Sequence, residues 1–336
     1  MMSPKLARLS IAVAVLALLL GGAGAWLLAS FDAERAKALA IDWMKTHRQR
    51  TLAIDGPLEL ALFPRLSIRV AKARLSEPAS AAEFASLDEA ALSLAWWPLL
   101  SKSLVIDGVS ARGLRLAYTR NTQGASNIYD LLGLGDTPAR DRAEPSAAGA
   151  ATFGFDVSRI EVQDLKARVD DALSGVKGEV AIESLTSGRL ADKSESPLKI
   201  KARFALQSPA LRGRLSGETR IALDLVNHGV ALREMALAFN GDAPGASGVD
   251  ATFKGALAWN SEAGTLVAEN LALAGGATLG TFKLAGSSLA LQHFAFDSKQ
   301  HSLALAGLAL RLPGGAAGNP MNLSLDWPHL DVKARA

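Results

Sequence analysis

A chain of 336 residues carrying 36 basic and 33 acidic side chains has room for two units or one elongated one. Its charges are interspersed, with no basic block interleaved with aromatics, which excludes a nucleic-acid-binding character. The absence of cysteine removes disulfides, iron–sulfur clusters and thiol catalysis together, and 49% hydrophobic residues against 6% aromatic gives more leucine and alanine surface than a small polar-faced β domain needs.

No charged residue stands between Arg8 and Asp32. Leu9, Ile11, Val13, Val15, Leu16, Leu18, Leu19, Leu20, Trp26, Leu27 and Leu28 fill this run, and a helix of that length at about 1.5 Å per residue reaches roughly 34 Å, enough for a hydrocarbon core of about 30 Å. Residues 1–31 therefore read as a tip and a transmembrane anchor. A cleaved signal peptide is the main rival, because Ala23-Gly24-Ala25 has a small-x-small cleavage pattern, although the apolar run resumes at Trp26. A buried helix of a soluble core is the other, but this segment is apolar on all faces and follows Lys5 and Arg8. Arg35, Lys37, Lys45, Arg48 and Arg50 lie beyond the run, so the distribution of positive charge leaves its orientation open.

Residues 32–132 read as an α+β unit. Asp32 to Arg48 forms an amphipathic helix with Ala36, Leu39, Ala40, Trp43, Met44 and His47 on one face and Glu34, Arg35, Lys37, Asp42 and Lys45 on the other. Such a helix either packs on the following sheet or lies at a membrane interface, where a tryptophan and basic residues are suited. From Thr51 the apolar period changes from 3.6 to 2. Leu52 and Ile54 lead to an expected turn at Asp55-Gly56-Pro57; Leu58, Leu60 and Leu62 follow, and after Phe63-Pro64 come Leu66, Ile68 and Val70. The alternation continues through Leu92, Leu94 and Trp96, through Leu104 and Ile106 to a second expected turn at Asp107-Gly108, and through Leu114, Leu116 and Tyr118. Asn127 to Leu132 closes the unit as a short helix or turn.

Residues 133–151 lose all periodicity, and their Gly, Asp, Pro, Arg, Ser and Ala composition reads as a linker or long loop. Alternation then fills 152–336. Leu198, Ile200, Ala202, Phe204 and Leu206 form one clear strand, Ile221, Leu223 and Leu225 mark another, and pairs such as Val230 with Leu232, Leu271 with Leu273 and Leu323 with Leu325 carry the pattern onward. At one strand per 8 to 12 residues this region predicts about fifteen strands, and at about 4.8 Å spacing a rod of about 70 Å. The predicted fold is mainly β, an elongated repeating antiparallel sheet with one apolar face. With no helix to cover that face, the sheet must close into a barrel, stack as a sandwich or curl into a groove. The strand-like Leu323 to Val332 is followed by no polar capping repeat, so the groove is expected to be longer or to be completed by an envelope protein partner.

These residues resemble the AsmA family of bacterial envelope proteins. The resemblance rests on the anchor running into Phe31-Asp32 and a short helix, on Leu52 to Val70 with Asp55-Gly56 and Pro64, on Leu92 to Val109 with Trp97-Pro98-Leu99-Leu100, and on an ending made by Arg120, Asn121, Gly124, Asn127, Asp130, Leu131 and Leu132. His47-Arg48-Gln49-Arg50 stands where relatives carry a Thr-Gly-Arg-like turn. The resemblance implies a single-pass protein of the cell inner membrane with a cytoplasmic N-terminus and its bulk in the periplasm. It also implies a role in outer-membrane biogenesis, described for relatives as lipid delivery or as support for outer-membrane protein assembly.

The chemistry expected of a lipid conduit is non-catalytic and free of cofactors. His47, His228, His293, His301 and His329 show no metal-binding spacing. Ser174-Gly175-Val176-Lys177 matches a Ser-x-x-Lys template only without its helix and companion motifs, and Asp170-Asp171 reads as a turn. Exposing an acyl chain to water costs about 0.8 kcal/mol per CH₂, so about sixteen carbons cost roughly 13 kcal/mol. A continuous face built from Leu58, Leu60, Leu62, Leu66, Ile68, Val70, Leu92, Leu94, Leu114, Leu116, Ile200, Phe204, Leu206, Ile221, Leu223 and Leu225 would remove most of that penalty. The expected partners are the inner-membrane bilayer and phospholipid acyl chains. A closed dry core made from the same faces, acting as an assembly scaffold, is the competing arrangement, and a periplasmic enzyme is a more distant one.

Overall fold

The computed structural model of the protein describes residues 32–62, 65–95, 105–131, 156–316 and 319–333. The anchor at 1–31, Pro64, the Trp97 to Leu100 stretch, Leu132 and the linker at 133–151 lie outside the described residues.

Helix α1 (Ala33–Arg48) starts at Asp32, whose carboxylate accepts the backbone N–H of Arg35 at 3.0 Å. Glu34 in its first turn and Lys45, His47 and Arg48 in its last complement the helix dipole. Gln49 ends it in the left-handed region, at φ 54°, and donates its N–H to the Lys45 carbonyl. This is a backbone conformation that glycine adopts more readily than glutamine. α1 packs against the first strands, and the residues it turns inward are Ala36, Lys37, Ile41, Met44 and Arg48. This differs from the face read from periodicity, because Leu39 and Trp43 point away from the sheet.

The remaining described chain is a single curved sheet. Its strands are β1 (Leu52–Ile54), β2 (Leu58–Ala61), β3 (Leu66–Ser76), β4 (Glu83–Leu94), β5 (Ile106–Arg112), β6 (Arg115–Arg120), β7 (Asp156–Val157), β8 (Ile160–Asp171), β9 (Val176–Ser187), β10 (Leu190–Ala191), β11 (Glu195–Ser208), β12 (Leu211–Asp224), β13 (Gly229–Ala243), β14 (Ala246–Asn260), β15 (Thr265–Leu279), β16 (Phe282–Asp297), β17 (Ser302–Ala316) and β18 (Asn319–Lys333). Pairing follows chain order. β1 and β2 lie end to end along β3, and β5 with β6, β7 with β8 and β9 with β10 are likewise single strands broken once. All neighbours are antiparallel except β5 and β6 against β7 and β8, which are parallel. A parallel pair needs a long return connection, and the chain between Arg120 and Asp156 supplies it. The strands before and after the expected linker therefore belong to one sheet.

Two expected turns are not turns. Asp55-Gly56-Pro57 interrupts a strand without reversing it: Ile54 pairs with Ala73 and Leu58 with Val70 of the same partner. Gly56 is needed there because an added Cβ would lie 2.4 Å from the Ala71 carbonyl oxygen. Asp107-Gly108 sits inside β5, where Asp107 is an extra residue opposite the consecutive Ser93 and Leu94. An Asp-Gly pair favours a tight turn but equally suits an irregular strand. The region after residue 152 holds fewer and longer strands than expected. Neighbouring leucine pairs such as Val230 with Leu232 and Leu237 with Phe239 are two halves of one strand, β13, whose register shifts between them.

Two arginine clamps fasten the beginning of the sheet. The side chain of Arg50 is 0% exposed. Its guanidinium donates to both carboxylate oxygens of Asp130 at 2.7 and 2.8 Å, to the Ser76 carbonyl at 2.8 Å and to the Asn127 carbonyl, and it stacks 4.4 Å over the Phe84 ring. Asn127 carries the loop onward, donating to Glu77 and to the Ala117 carbonyl at 2.7 Å and accepting the Thr119 N–H at 3.0 Å. The second clamp joins the parallel strands: Arg120 grips Asp171 through two N–H groups. Asp171 is thus a buried partner at the end of β8, where a bare turn was expected. The residues that carried the family resemblance here are structural. Gly124 adopts φ 89°, and Asn121 accepts the N–H groups of Gln123 and Ala125.

Hydrogen bonding from Arg50 holds Asp130 below the usual carboxylate range, and that from Arg120 does the same to Asp171. Unfolding returns both to about 3.9, so at acid pH the unfolded chain binds protons first. Their contribution is complete above roughly pH 5 and declines as pH falls toward their folded values. The urea midpoint is expected to be flat near neutrality and to fall below about pH 4, with Asp171→Asn shallowing the decline. Gln49→Gly is expected to raise stability by about 0.5–1 kcal/mol by relieving the left-handed position, read as a higher urea midpoint.

The apolar face as candidate functional site

Side chains alternate across a strand, so the register assigns each residue to one face. Leu60 pairs with Ile68, Ile68 with Leu92 and Leu92 with Val109; Ile160 pairs with Ser187, Ser187 with Leu198 and Leu198 with Thr219. Further along, Leu215 pairs with Phe239, Phe239 with Ala251, Leu273 with Leu289, and Leu310 with Leu325. One face is apolar from β1 to β18. Leu58, Leu60, Leu66, Ile68, Val70, Leu92, Leu94, Leu116, Ile200, Phe204, Leu206, Ile221 and Leu223 all lie on it, and Leu114 falls in the short break between β5 and β6. Leu62 is buried immediately after β2. Leu225 is the exception: it stands in the turn beyond the end of β12, exposed, because its strand stops at Asp224.

A line of irregularities crosses this face near the middle of the strands. On β3 the inward residues step from Val70 to Ala73, on β8 from Val162 to Leu165, on β13 from Leu232 to Met235 and on β15 from Ala268 to Leu271. Each step contains one extra residue held at positive φ: Lys72, Asp164, Glu234 and Asn270. On β12 and β14, where no residue is inserted, Gly217 and Gly255 occupy the same line at φ 152° and 132°. Their Cβ atoms would meet neighbouring backbone at 2.1 and 2.7 Å. Bulges bend strands and strengthen their twist, so aligned bulges crease the sheet along one axis. Four of the buried apolar residues sit beside this crease: Ala73, Ala202, Met235 and Ala268.

Away from the crease the apolar face is open. Phe253, Trp259, Leu325 and Trp327 remain 38%, 54%, 43% and 46% exposed. Among the described residues, β18 pairs only with β17, and β1 and β2 only with β3, so the sheet does not close on itself. A cavity of about 220 Å³ lies on this face, lined by Val249, Ala251, Leu273, Leu284, Leu289 and Leu310. The opposite face is charged, with Arg69 contacting Glu89 at 3.1 Å, Lys199 contacting Glu218 at 3.5 Å and Arg311 contacting Asp326 at 3.0 Å. Such exposed pairs add little stability, and their effect is to keep that face wet. Exposed apolar surface of this extent marks a binding surface. Among the described residues there is no cluster of His, Asp or Glu suited to a metal ion, and no helix long and apolar enough to cross a membrane.

Pairing of strand halves escaped the sequence reading because each bulge shifts the alternation by one residue; that phase shift is the signal that locates the crease. Arg50 also escaped it, since a lone arginine after a helix carries no mark of being buried. The native chain lacks cysteine, so Phe253→Cys and Leu325→Cys are unique labelling sites. Both are expected to react with a water-soluble maleimide at rates comparable to Thr252→Cys on the charged face, whereas a closed core would protect them.

Among curated proteins, the chain is similar to Protein AsmA of Escherichia coli (strain K12), 28% identical over 115 residues. That match covers 34% of this chain and 18% of the relative, so the chain spans only a small part of the curated protein it resembles. The model of the AsmA family matches residues 2–309, nearly the whole chain, and the protein therefore belongs to the AsmA family.

Proposed function

We propose that the protein is a single-pass, inner-membrane-anchored periplasmic component of outer-membrane biogenesis that holds phospholipid acyl chains on its apolar face and helps move them between the two membranes. The observation that carries this reading is one predominantly apolar face, open away from the crease, that runs across the sheet from β1 to β18 with a few polar residues such as Ser187, Ser196 and Thr219 buried on it. Membership of the AsmA family supports it. Residues 9–31 serve as the span, with the N-terminus in the cytoplasm, and an envelope partner receives the lipid. The role is non-catalytic: binding and desolvation do the work.

The physical basis is the uniformity of the track. Neighbouring strands are about 4.8 Å apart, and each offers a lining of the same kind, leucine, valine, isoleucine and phenylalanine around alanine at the crease. An acyl chain sliding by one strand exchanges equivalent contacts, so no step requires exposing its methylenes at about 0.8 kcal/mol each. A deep pocket would bind more tightly and release more slowly.

Photoreactive side chains placed at Leu60 and Ile221 test the reading in cells. Adducts with phospholipid are expected from both, and not from their outward-facing neighbours Glu59 and Arg220. Adducts with proteins alone from all four positions would instead favour an assembly scaffold acting on outer-membrane proteins.

A further inference from the structure

Helix α1 carries a second apolar stripe that the sheet does not use. Its inward face, Ala36, Lys37, Ile41, Met44 and Arg48, packs on β1 and β2. Leu39 and Trp43, one turn apart, are 65% and 48% exposed on the flank of the helix, with Ala40 and His47 beside them. The indole is held in place. The His47 ring stacks on it at 5.1 Å and 19°, the Arg48 guanidinium lies 5.8 Å from its centre, and the His47 Nδ1 is 3.0 Å from the Trp43 carbonyl oxygen. A tryptophan fixed outward beside cations suits the boundary between headgroups and acyl chains. The helix as a whole is basic, with Arg35, Lys37, Lys45 and Arg48 against Glu34 and Asp42. Lys37 and Arg48 turn toward the sheet, and the stripe itself is bordered by Arg35, Asp42 and the Arg48 guanidinium at the indole. The net positive charge supplies the attraction to anionic lipid.

Position supplies the other half of the argument. The uncharged run ends at Phe31, and Asp32 is already the cap of α1, so no spacer separates them. We propose that the Leu39 and Trp43 stripe lies on the bilayer surface, with α1 in the membrane plane, docking the start of the sheet onto anionic lipid. This rests on the reading of residues 9–31 as a span. The occupant of the stripe is the lipid surface itself, and its consequence is directional. With α1 lying flat, β1 and β2 are held within about one helix diameter, ~10 Å, of the headgroups. Leu58 and Leu60 then open the apolar face beside the leaflet from which lipid would be taken.

The test uses the full chain reconstituted in vesicles of phosphatidylethanolamine and phosphatidylglycerol, with one spin-labelled cysteine at a time replacing Val15, Leu39 or Lys45. Relaxation by oxygen, which concentrates in lipid, is compared with relaxation by a water-soluble nickel chelate. Val15→Cys and Leu39→Cys are expected to favour oxygen, and Lys45→Cys, which lies well round the helix from the Leu39 and Trp43 stripe, the chelate. If Leu39→Cys reports water while Val15→Cys reports lipid, the interfacial helix is overturned and the span stands. If both report water, both are overturned. Leu39 and Lys45 are exposed in the fold, so labels there leave its packing intact.

Discussion

A strand that gains one residue turns every later side chain to the opposite face, and the whole architecture depends on how this chain meets that constraint. Ten or more strands with unaligned insertions would break an apolar face into patches. Here the insertions at Lys72, Asp164, Glu234 and Asn270 fall on one line across the sheet, and Gly217 and Gly255 continue that line where nothing is inserted. Each half-strand is therefore in phase with the half-strands beside it. The same feature that could have destroyed the apolar face gives it its curvature.

The two arginine clamps belong to a different part of the problem. A curved, one-sided sheet buries little side-chain volume, and among the described residues only nine apolar side chains are buried, four of them alanine. Cohesion comes from the ladder hydrogen bonds and, at the start of the chain, from charge. Arg50 ties the end of α1 to β3 and to the loop at Asn127 to Asp130, while Arg120 and Asp171 join strands that are parallel and distant in sequence. Removing either arginine would leave a carboxylate in a poorly hydrated place, which is why such pairs are costly to break even where they add little when intact.

Much of this was legible in the residues. The change from a 3.6 to a 2 period at Thr51, the single apolar face and the membership of Leu58, Ile68, Phe204 or Ile221 in it all follow from alternation, which local chemistry dictates. What was not legible depended on partners distant in sequence. Asp107-Gly108 has the composition of a hairpin turn but stays in the strand, with Asp107 as the extra residue of a bulge while β4 runs on unbroken opposite it. The leucine pairs looked like separate strands because a bulge and a turn both interrupt alternation, and only pairing tells them apart. α1 was rightly read as amphipathic, but Ile41 and Arg48 turn inward in place of Leu39 and Trp43, since β1 and β2 select the face that fits their own surface. Asp171 became a buried partner because Arg120 arrives beside it through the one parallel crossing.

The order of pairing has a further consequence for how such a molecule changes over evolutionary time. Beyond β8 each strand touches chiefly its two neighbours, so the fold behaves as a one-dimensional array in which stability is a sum of adjacent interfaces. Inserting or deleting a hairpin of two strands lengthens or shortens the array by about 10 Å, preserves the direction of all that follows and leaves the crease unbroken if its bulges are matched. A single strand could not be gained or lost in this way, because it would reverse every later strand. Length thus becomes a quantity that can drift in even steps without redesign of the cross-section, and a span between two membranes can be matched by copying hairpins.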